Sequence, residues 1–173
     1  MDNRGYVHVY TGDGKGKTTA ALGLTLRAAG AGWKVFMAQF LKGTASSELV
    51  ALKLLGHSVV VRQYGRSCLI DHEPVQADYD CATEGLFECK RAIMSEAYQL
   101  VILDEANVAV AFDLLHVEDI IELIDCKPPE VELVITGRWA HPRIIERADL
   151  VTEMLEIKHY YQQGVLARTG VES

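Results

Sequence analysis

The chain has 173 residues, 49% of them hydrophobic and 24% charged, which excludes disorder and suits a folded domain that buries roughly 70% of its extended surface. Seventeen Lys and Arg against 24 Asp and Glu leave a net charge of -7, a poor match for a nucleic-acid backbone. No apolar run reaches the ~18 residues that cross a bilayer, no signal core opens the chain, and Cys68, Cys81, Cys89 and Cys126 form no CxxC pair. The expectation is one cytoplasmic domain over residues 1–173, with reduced, mostly buried thiols, that handles a small molecule rather than nucleic acid or membrane.

Along the chain, short β-branched runs alternate with segments of helical period. That pattern predicts an α/β fold with a mainly parallel sheet of about six strands and helices on both faces. Strands are expected at 6–10, 34–40, 58–63, 100–103, 132–136 and 151–157, and helices near 18–30, 46–56, 76–98, 117–125 and 142–148. Val35, Phe36, Met37 and Ala38 are apolar on both faces, as a strand covered on either side requires. Ala82, Leu86, Cys89, Ile93 and Ala97 keep one apolar stripe on the longest helix. Gly30 and Gly32 suit the end of the first helix, and Pro128 and Pro129 separate the fifth from the next strand. Stretches 41–45 and 65–74 follow strands and fit no element, so they are expected to be functional loops at the ligand-bearing strand ends.

The strongest chemical signal is Thr11-Gly12-Asp13-Gly14-Lys15-Gly16-Lys17-Thr18-Thr19, between the first strand and the first helix. A glycine-rich turn aims successive N–H groups inward and the helix adds its positive end, which together cradle phosphate. In such a loop Lys17 neutralises phosphate charge and the Thr18 hydroxyl reaches a phosphate-bound magnesium ion. Thr11 stands where the GxxxxGK[ST] pattern has its first glycine, so the pocket is expected to differ from that of ordinary phosphoryl-transfer enzymes.

Leu100 to Leu103 form an apolar strand that ends in Asp104 and Glu105. If that strand neighbours the first, its end lies beside the glycine loop, where one carboxylate holds magnesium directly or through water. A continuing strand would point the two carboxylates to opposite sides and separate their tasks. Arg138, after Thr136-Gly137, either reaches a phosphate or a second ligand or is part of a surface turn. Arg27, nine residues beyond Thr18, is either an anchor or a solvated side chain. Gln39, Phe40, Lys42 and Gly43 leave the second strand at the ligand-facing edge. Lys158-His159 follows the last strand, where a lone histidine is more often structural than catalytic. His8, His57 and His116 receive no role. Trp33 reads as packing, and Trp139 as packing or a ligand cover. No GxSxG or HExxH occurs, and Glu105, the carboxylate placed to serve as a base, has a competing metal role.

This ordered set resembles the P-loop type of ATP:corrinoid adenosyltransferase. The resemblance runs from Val7 to about Gly170 and takes in 11–21, Gln39-Phe40-Leu41-Lys42-Gly43, 101–105, 134–138, 148–154 and Lys158-His159. It implies a P-loop NTPase-like (RecA-like) fold and transfer of the 5′-deoxyadenosyl group of ATP to a Co(I) corrinoid, with release of triphosphate. The setting is adenosylcobalamin biosynthesis or salvage. The reduced cobalt is the nucleophile, so no protein base is needed, and the protein binds, aligns and stabilises the leaving triphosphate. By resemblance Lys17, Thr18 and Glu105 are the catalytic groups. Thr11, Gly12, Asp13, Gly14, Lys15, Gly16, Lys17, Thr18, Thr19, Arg27 and Arg138 bind ATP, and Thr18, Glu105 and Asp104 hold Mg2+. ATP lies reversed relative to ordinary P-loop enzymes, compatible with Thr11. A homodimer and a reduced flavoprotein electron donor are also implied. A small kinase or ATPase and a nucleotide-gated corrinoid carrier are the competing readings.

The chain departs from the family in three places. Where many members carry Phe-Thr-Trp after the third strand, this sequence has Gly65-Arg66-Ser67-Cys68-Leu69-Ile70, so Arg66 to Ile70 are expected to face the corrin without an aromatic pair. Tyr64 and Phe112 are candidates to substitute. The chain begins almost at its first strand, so an N-terminal helical cover is expected to be absent. The tail Tyr160-Tyr161-Gln162-Gln163-Gly164 lacks the usual proline.

Overall fold

The computed structural model describes residues 4–44, 46–66 and 73–172. Its elements in chain order are β1 (Val7–Thr11), α1 (Lys17–Gly30), β2 (Val35–Phe40), α2 (Ser47–Lys53), β3 (Val59–Tyr64), α3 (Gln76–Met94), β4 (Leu100–Asp104), α4 (Ala106–Ala111), α5 (Val117–Cys126), β5 (Glu132–Thr136), α6 (Pro142–Arg147) and β6 (Leu150–Glu153). Short 3-10 turns occupy Gly56–Ser58 and Tyr160–Gln163. The strands form one six-stranded sheet in the order β3-β2-β4-β5-β1-β6, parallel at every pairing. This is the expected α/β, P-loop NTPase-like architecture.

Strand periodicity divides the core into two layers. Phe36, Ala38, Phe40, Val101 and Leu103 face one layer with Ala82, Cys89 and Ile93 of α3 and Ile120, Leu123 and Ile124 of α5. Val35, Met37, Leu100 and Ile102, the alternate residues of the same strands, face the other with Ala21 and Ala28 of α1 and Leu52 of α2. Helices therefore cover both faces, and the central strands read as continuous apolar runs. Burying each large aliphatic side chain contributes about 1.5–3 kcal/mol, so this double layer rigidly places whatever stands at the strand ends.

Local chemistry sets the ends of the elements. The first helix closes in a Schellman motif: Gly32 N–H donates to Ala29 O and Trp33 N–H to Ala28 O, with Gly32 at a φ of 83°. The third helix stops at Met94, four residues short of expectation, because Glu96 turns left-handed at a φ of 56°. Ala97, expected on its apolar stripe, is exposed outside the helix. The fourth helix is unexpected from sequence, since its alternating Ala and Val read as much like strand as helix. The last strand ends at Glu153 rather than 157, because the chain leaves the sheet to cross the glycine loop. Of the cysteines, Cys89 is buried and its thiol pKa is pushed well up by desolvation, whereas Cys81 and Cys126 are half-buried. Cys68 lies outside the described residues.

One expectation about topology is corrected. The carboxylate-bearing strand β4 does not neighbour β1; β5 lies between them. The two sites meet because α1 carries Thr18 back across β5. No described helix is long and apolar enough to cross a membrane.

Candidate active site

The glycine loop joins β1 to the N-terminus of α1. Gly16 caps the helix at a φ of 123°, and Gly12 has a φ of 91°, both conformations that disfavour side chains. The Lys17 ammonium is buried and donates to Gly12 O at 2.6 Å and Gly14 O at 2.8 Å. Two of its three donors are thus held inside the loop, and one remains. Burial lowers its pKa, with Arg138 adding to that push and Glu105, Asp13 and Asp104 opposing it. An underhydrated ammonium at the root of a glycine loop is primed for an anion.

Asp104 is the hub of the site. It is fully buried, and its two oxygens accept four hydrogen bonds. Oδ1 accepts from the hydroxyls of Thr18 (2.9 Å) and Thr136 (2.7 Å). Oδ2 accepts from the Gln39 amide (3.2 Å) and the Lys42 ammonium (2.9 Å). A carboxylate offers about four lone-pair positions, so its acceptor capacity is filled. Burial pushes the Lys42 pKa down, but Asp104, by charge and hydrogen bond, and then Glu105 outweigh it, so the pKa is raised and Lys42 stays charged. Gln39 is itself held by Gln63, whose amide donates to Gln39 Oε1 at 3.1 Å and to Thr44 O at 3.0 Å. The loops bearing Lys42 and Arg66 touch backbone to backbone: a Cβ on Gly43 would lie 2.3 Å from Gly65 O.

Glu105 differs sharply from its neighbour. The strand ends at Asp104 and Glu105 turns left-handed, at a φ of 63°, while its N–H donates to Thr136 Oγ1 at 3.0 Å. Among the described residues no hydrogen bond reaches its carboxylate. Burial and the Asp104 charge raise its pKa, against the pull of Lys42, Lys17 and Arg138. Glu105 is therefore a partly buried anion surrounded by cations with its lone pairs unspent. Glu105 and the Thr18 hydroxyl, whose proton is turned to Asp104, are both hard oxygen donors. Mg2+ takes one or two protein oxygens and completes its shell with phosphate and water, so this donor pair fits it. No group of three or more His, Cys, Asp and Glu able to hold a metal occurs among the described residues.

The remaining expected residues separate into those at the loop and those away from it. Arg138 is near enough to Lys17 and Glu105 for its charge to act on both. Arg27 is exposed in the last turn of α1, ten residues and roughly 15 Å along the helix from Lys17, so the structure does not bring it to the loop. Asp13 and Thr19 are exposed at the loop surface. Gly14 N–H, expected to point at phosphate, donates to Met154 O at 2.7 Å instead, while Met154 N–H donates to Thr11 O at 2.9 Å. Cβ atoms on Gly12 and Gly14 would lie 2.5 and 2.7 Å from Met154 O, so the strap after β6 needs both glycines. Lys15 Nζ donates to Val171 O at 2.7 Å and lies 3.8 Å from Glu172. Arg168 and the Tyr160 hydroxyl hold the Glu172 carboxyl down at about 2.

Of the residues expected to face the corrin, Arg66 is exposed and Ser67 to Ile70 lie outside the described residues. Tyr64 cannot serve as a surface aromatic. It is buried against Phe40 and α3, where a Cβ on Gly85 would lie 2.7 Å from its ring, and desolvation pushes its hydroxyl up to about 12. Phe112 is partly exposed and pairs edge-on with Trp139. A cavity of about 570 Å³ lies at the opposite ends of the strands, where β1, β5 and β6 begin, lined in part by Arg4, Lys127 and Asp149. The Lys127 ammonium there is spent on the carbonyls of Gly5, Pro128 and Val131, so it braces the strand starts.

Comparison with known proteins gives the family of the chain. The family model for ATP:corrinoid adenosyltransferase BtuR/CobO/CobP matches residues 3–173. A corrinoid adenosyltransferase of Escherichia coli (strain K12) is 36% identical over 172 residues, covering 99% of this chain and 87% of that protein. The corrinoid adenosyltransferase of Pseudomonas aeruginosa is 35% identical, covering 99% and 85%. Corrinoid adenosyltransferase CobA of Salmonella typhimurium is 34% identical, covering 99% and 87%. A match over nearly the whole length, on a chain whose phosphate loop meets a buried carboxylate hub, settles the kinship: the chain belongs to the ATP:corrinoid adenosyltransferase family.

Proposed function

We propose that this chain, acting as one domain over residues 1–173, transfers the 5′-deoxyadenosyl group of ATP to the Co(I) centre of a corrinoid and releases triphosphate. The cobalt electron pair forms the Co–C bond, and the C5′–O bond of ATP breaks with its pair leaving on triphosphate. The observation that carries this reading is how the two carboxylates are used. Asp104 has its acceptor positions filled by Thr18, Thr136, Gln39 and Lys42, and Glu105 faces cations. Asp104 therefore has no acceptor position left to take a proton from water or a hydroxyl, as phosphoryl transfer would ask, and Glu105 stands among the cations as a metal ligand would. The groups are arranged to hold a leaving polyanion.

Lys17 supplies charge with its remaining donor, and Arg138 adds a second cation from the end of β5. Bound Mg2+ would neutralise charge on the triphosphate. Thr18 and Glu105 would hold it, while Asp104 orients Thr18 and acts as a positioning residue. Thr11, Gly12, Asp13, Gly16 and Thr19 complete the loop around the phosphates, with Lys15 at its outer side. A cytoplasmic homodimer that receives electrons from a reduced flavoprotein is the setting the family resemblance suggests.

The test is an anaerobic incubation with Mg-ATP and chemically reduced Co(I) cobalamin, with the corrin spectrum followed and the phosphate products separated. A light-sensitive Co–C species together with triphosphate is expected. ADP with unmodified corrin would instead mark a kinase or ATPase, and binding of both ligands without turnover would mark a carrier.

A further inference from the structure

The turn after β5 is pinned to the phosphate loop at two points. Gly137 N–H donates to Tyr10 O at 3.1 Å, and Ala140 N–H donates to Thr11 Oγ1 at 3.3 Å. Gly137 also packs against Asn107 of α4, where an added Cβ would lie 3.0 Å from Asn107 Cβ. Between the pins stand Arg138, whose charge acts on Lys17 and Glu105, and Trp139. Trp139 adopts a φ of 58°, costly for a bulky side chain, and is nonetheless 56% exposed. Phe112, at the end of the helix that starts beside Glu105, is 37% exposed and meets the Trp139 ring edge-on at 6.1 Å. Strain and pinning thus hold an open indole face on the rim of the phosphate site. Phe112 is seven residues from Glu105, about 10 Å along a helix. That is the scale of the distance from the phosphates of a nucleoside triphosphate to its base.

We infer that Trp139, propped by Phe112 and pinned through Ala140 to the Thr11 hydroxyl, is the stacking face for the adenine of ATP. This gives the Thr at position 11 a task a glycine could not perform. The inference deepens the proposed function by naming what holds the base. Stacking recognises a π face without reading hydrogen bonds, so it is suited to a base that must stay in place while C5′ is displaced.

Binding measurements without corrinoid test it apart from transferase activity. In Trp33→Phe protein Trp139 is the sole indole, and the replaced Trp33 lies before the start of β2, at the other ends of the strands from Trp139 after β5. Mg-ATP is expected to quench its emission, and Mg-tripolyphosphate is not. Trp139→Ala is expected to weaken ATP about tenfold while leaving tripolyphosphate unchanged, and Trp139→Phe to keep most of the affinity. Thr11→Val is expected to shift ATP in the same direction, with Thr11→Ser restoring it. Equal losses for ATP and tripolyphosphate in Trp139→Ala would overturn the inference, as would no loss for ATP. Absence of Co–C bond formation in the wild-type protein would overturn the proposed reaction and leave this result standing.

Discussion

The centre of the sheet and its β6 edge treat charge in opposite ways. At the centre, β2, β4 and β5 deliver Gln39, Asp104 and Thr136, all fully buried, and Thr18 and Lys42 close the set. At the edge, all four residues of β6 are exposed, and the tail beyond meets Lys15 through an exposed contact to Val171 and Glu172. The difference teaches where preorganisation comes from. A buried polar network with every member satisfied costs little to hold and cannot relax, whereas exposed ion pairs are screened and exchangeable. The satisfied network is fixed at the centre, and the exchangeable contacts lie at the edge.

The largest expected effect comes from the root of the loop. Lys17→Ala should lower adenosyl transfer about 10²–10³-fold, by analogy with loss of one preorganised donor to a developing anion. Single-turnover rates check it, and near-normal transfer would remove the loop from the centre.

Next is the hub itself. Lys42→Met leaves Asp104 buried without its cation and should cost about 3 kcal/mol of stability, read from the denaturant midpoint. Adding Asp104→Asn should recover part of the loss. Independent, additive losses would show that the pair is not coupled.

Glu105→Gln sharpens the contrast between the two carboxylates. Its magnesium requirement should rise about tenfold or more, while the protein free of nucleotide should melt at a higher temperature. The sign follows from the raised pKa of Glu105: the folded state binds the proton more tightly than the unfolded chain. Stability therefore falls as pH rises from the ordinary carboxylate range through the raised value, then levels off. The melting gain in Glu105→Gln should be complete at neutral pH and vanish below the ordinary carboxylate range. In the wild type, the magnesium requirement should climb on acidification sooner than for an ordinary carboxylate ligand. Identical magnesium titrations in the two proteins would assign the metal elsewhere.

The smallest effect is expected at the edge. Lys15→Ala should change ATP affinity by less than about fivefold, the scale of an exposed ion pair. A loss as large as that of Lys17→Ala would erase the distinction between edge and centre.

Much of this is legible in the sequence. The phosphate loop is nine contiguous residues between a strand and a helix, so local spacing carries its whole meaning. Strand 132–136 is matched residue for residue, and the others differ by a residue or two at most ends. The hub was not legible, because the partners of Asp104 come from α1, β2, the loop after β2 and β5. Gln39 and Lys42 were visible only as residues at a strand end. The strap was equally hidden, since Gly14 and Met154 are 140 residues apart and meet through backbone groups that any sequence provides.

Sequence alone determined the layer architecture, the phosphate loop and the carboxylate pair, because apolar period and glycine spacing are local and each dictates its own geometry. Tertiary structure decided the strand order, which put β5 between the loop and the carboxylates. It also decided the unequal fates of Asp104 and Glu105, one saturated and one free to bind. Adjacent residues of the same chemistry parted because burial and hydrogen-bond partners belong to the fold, and no local pattern encodes which distant donors will arrive.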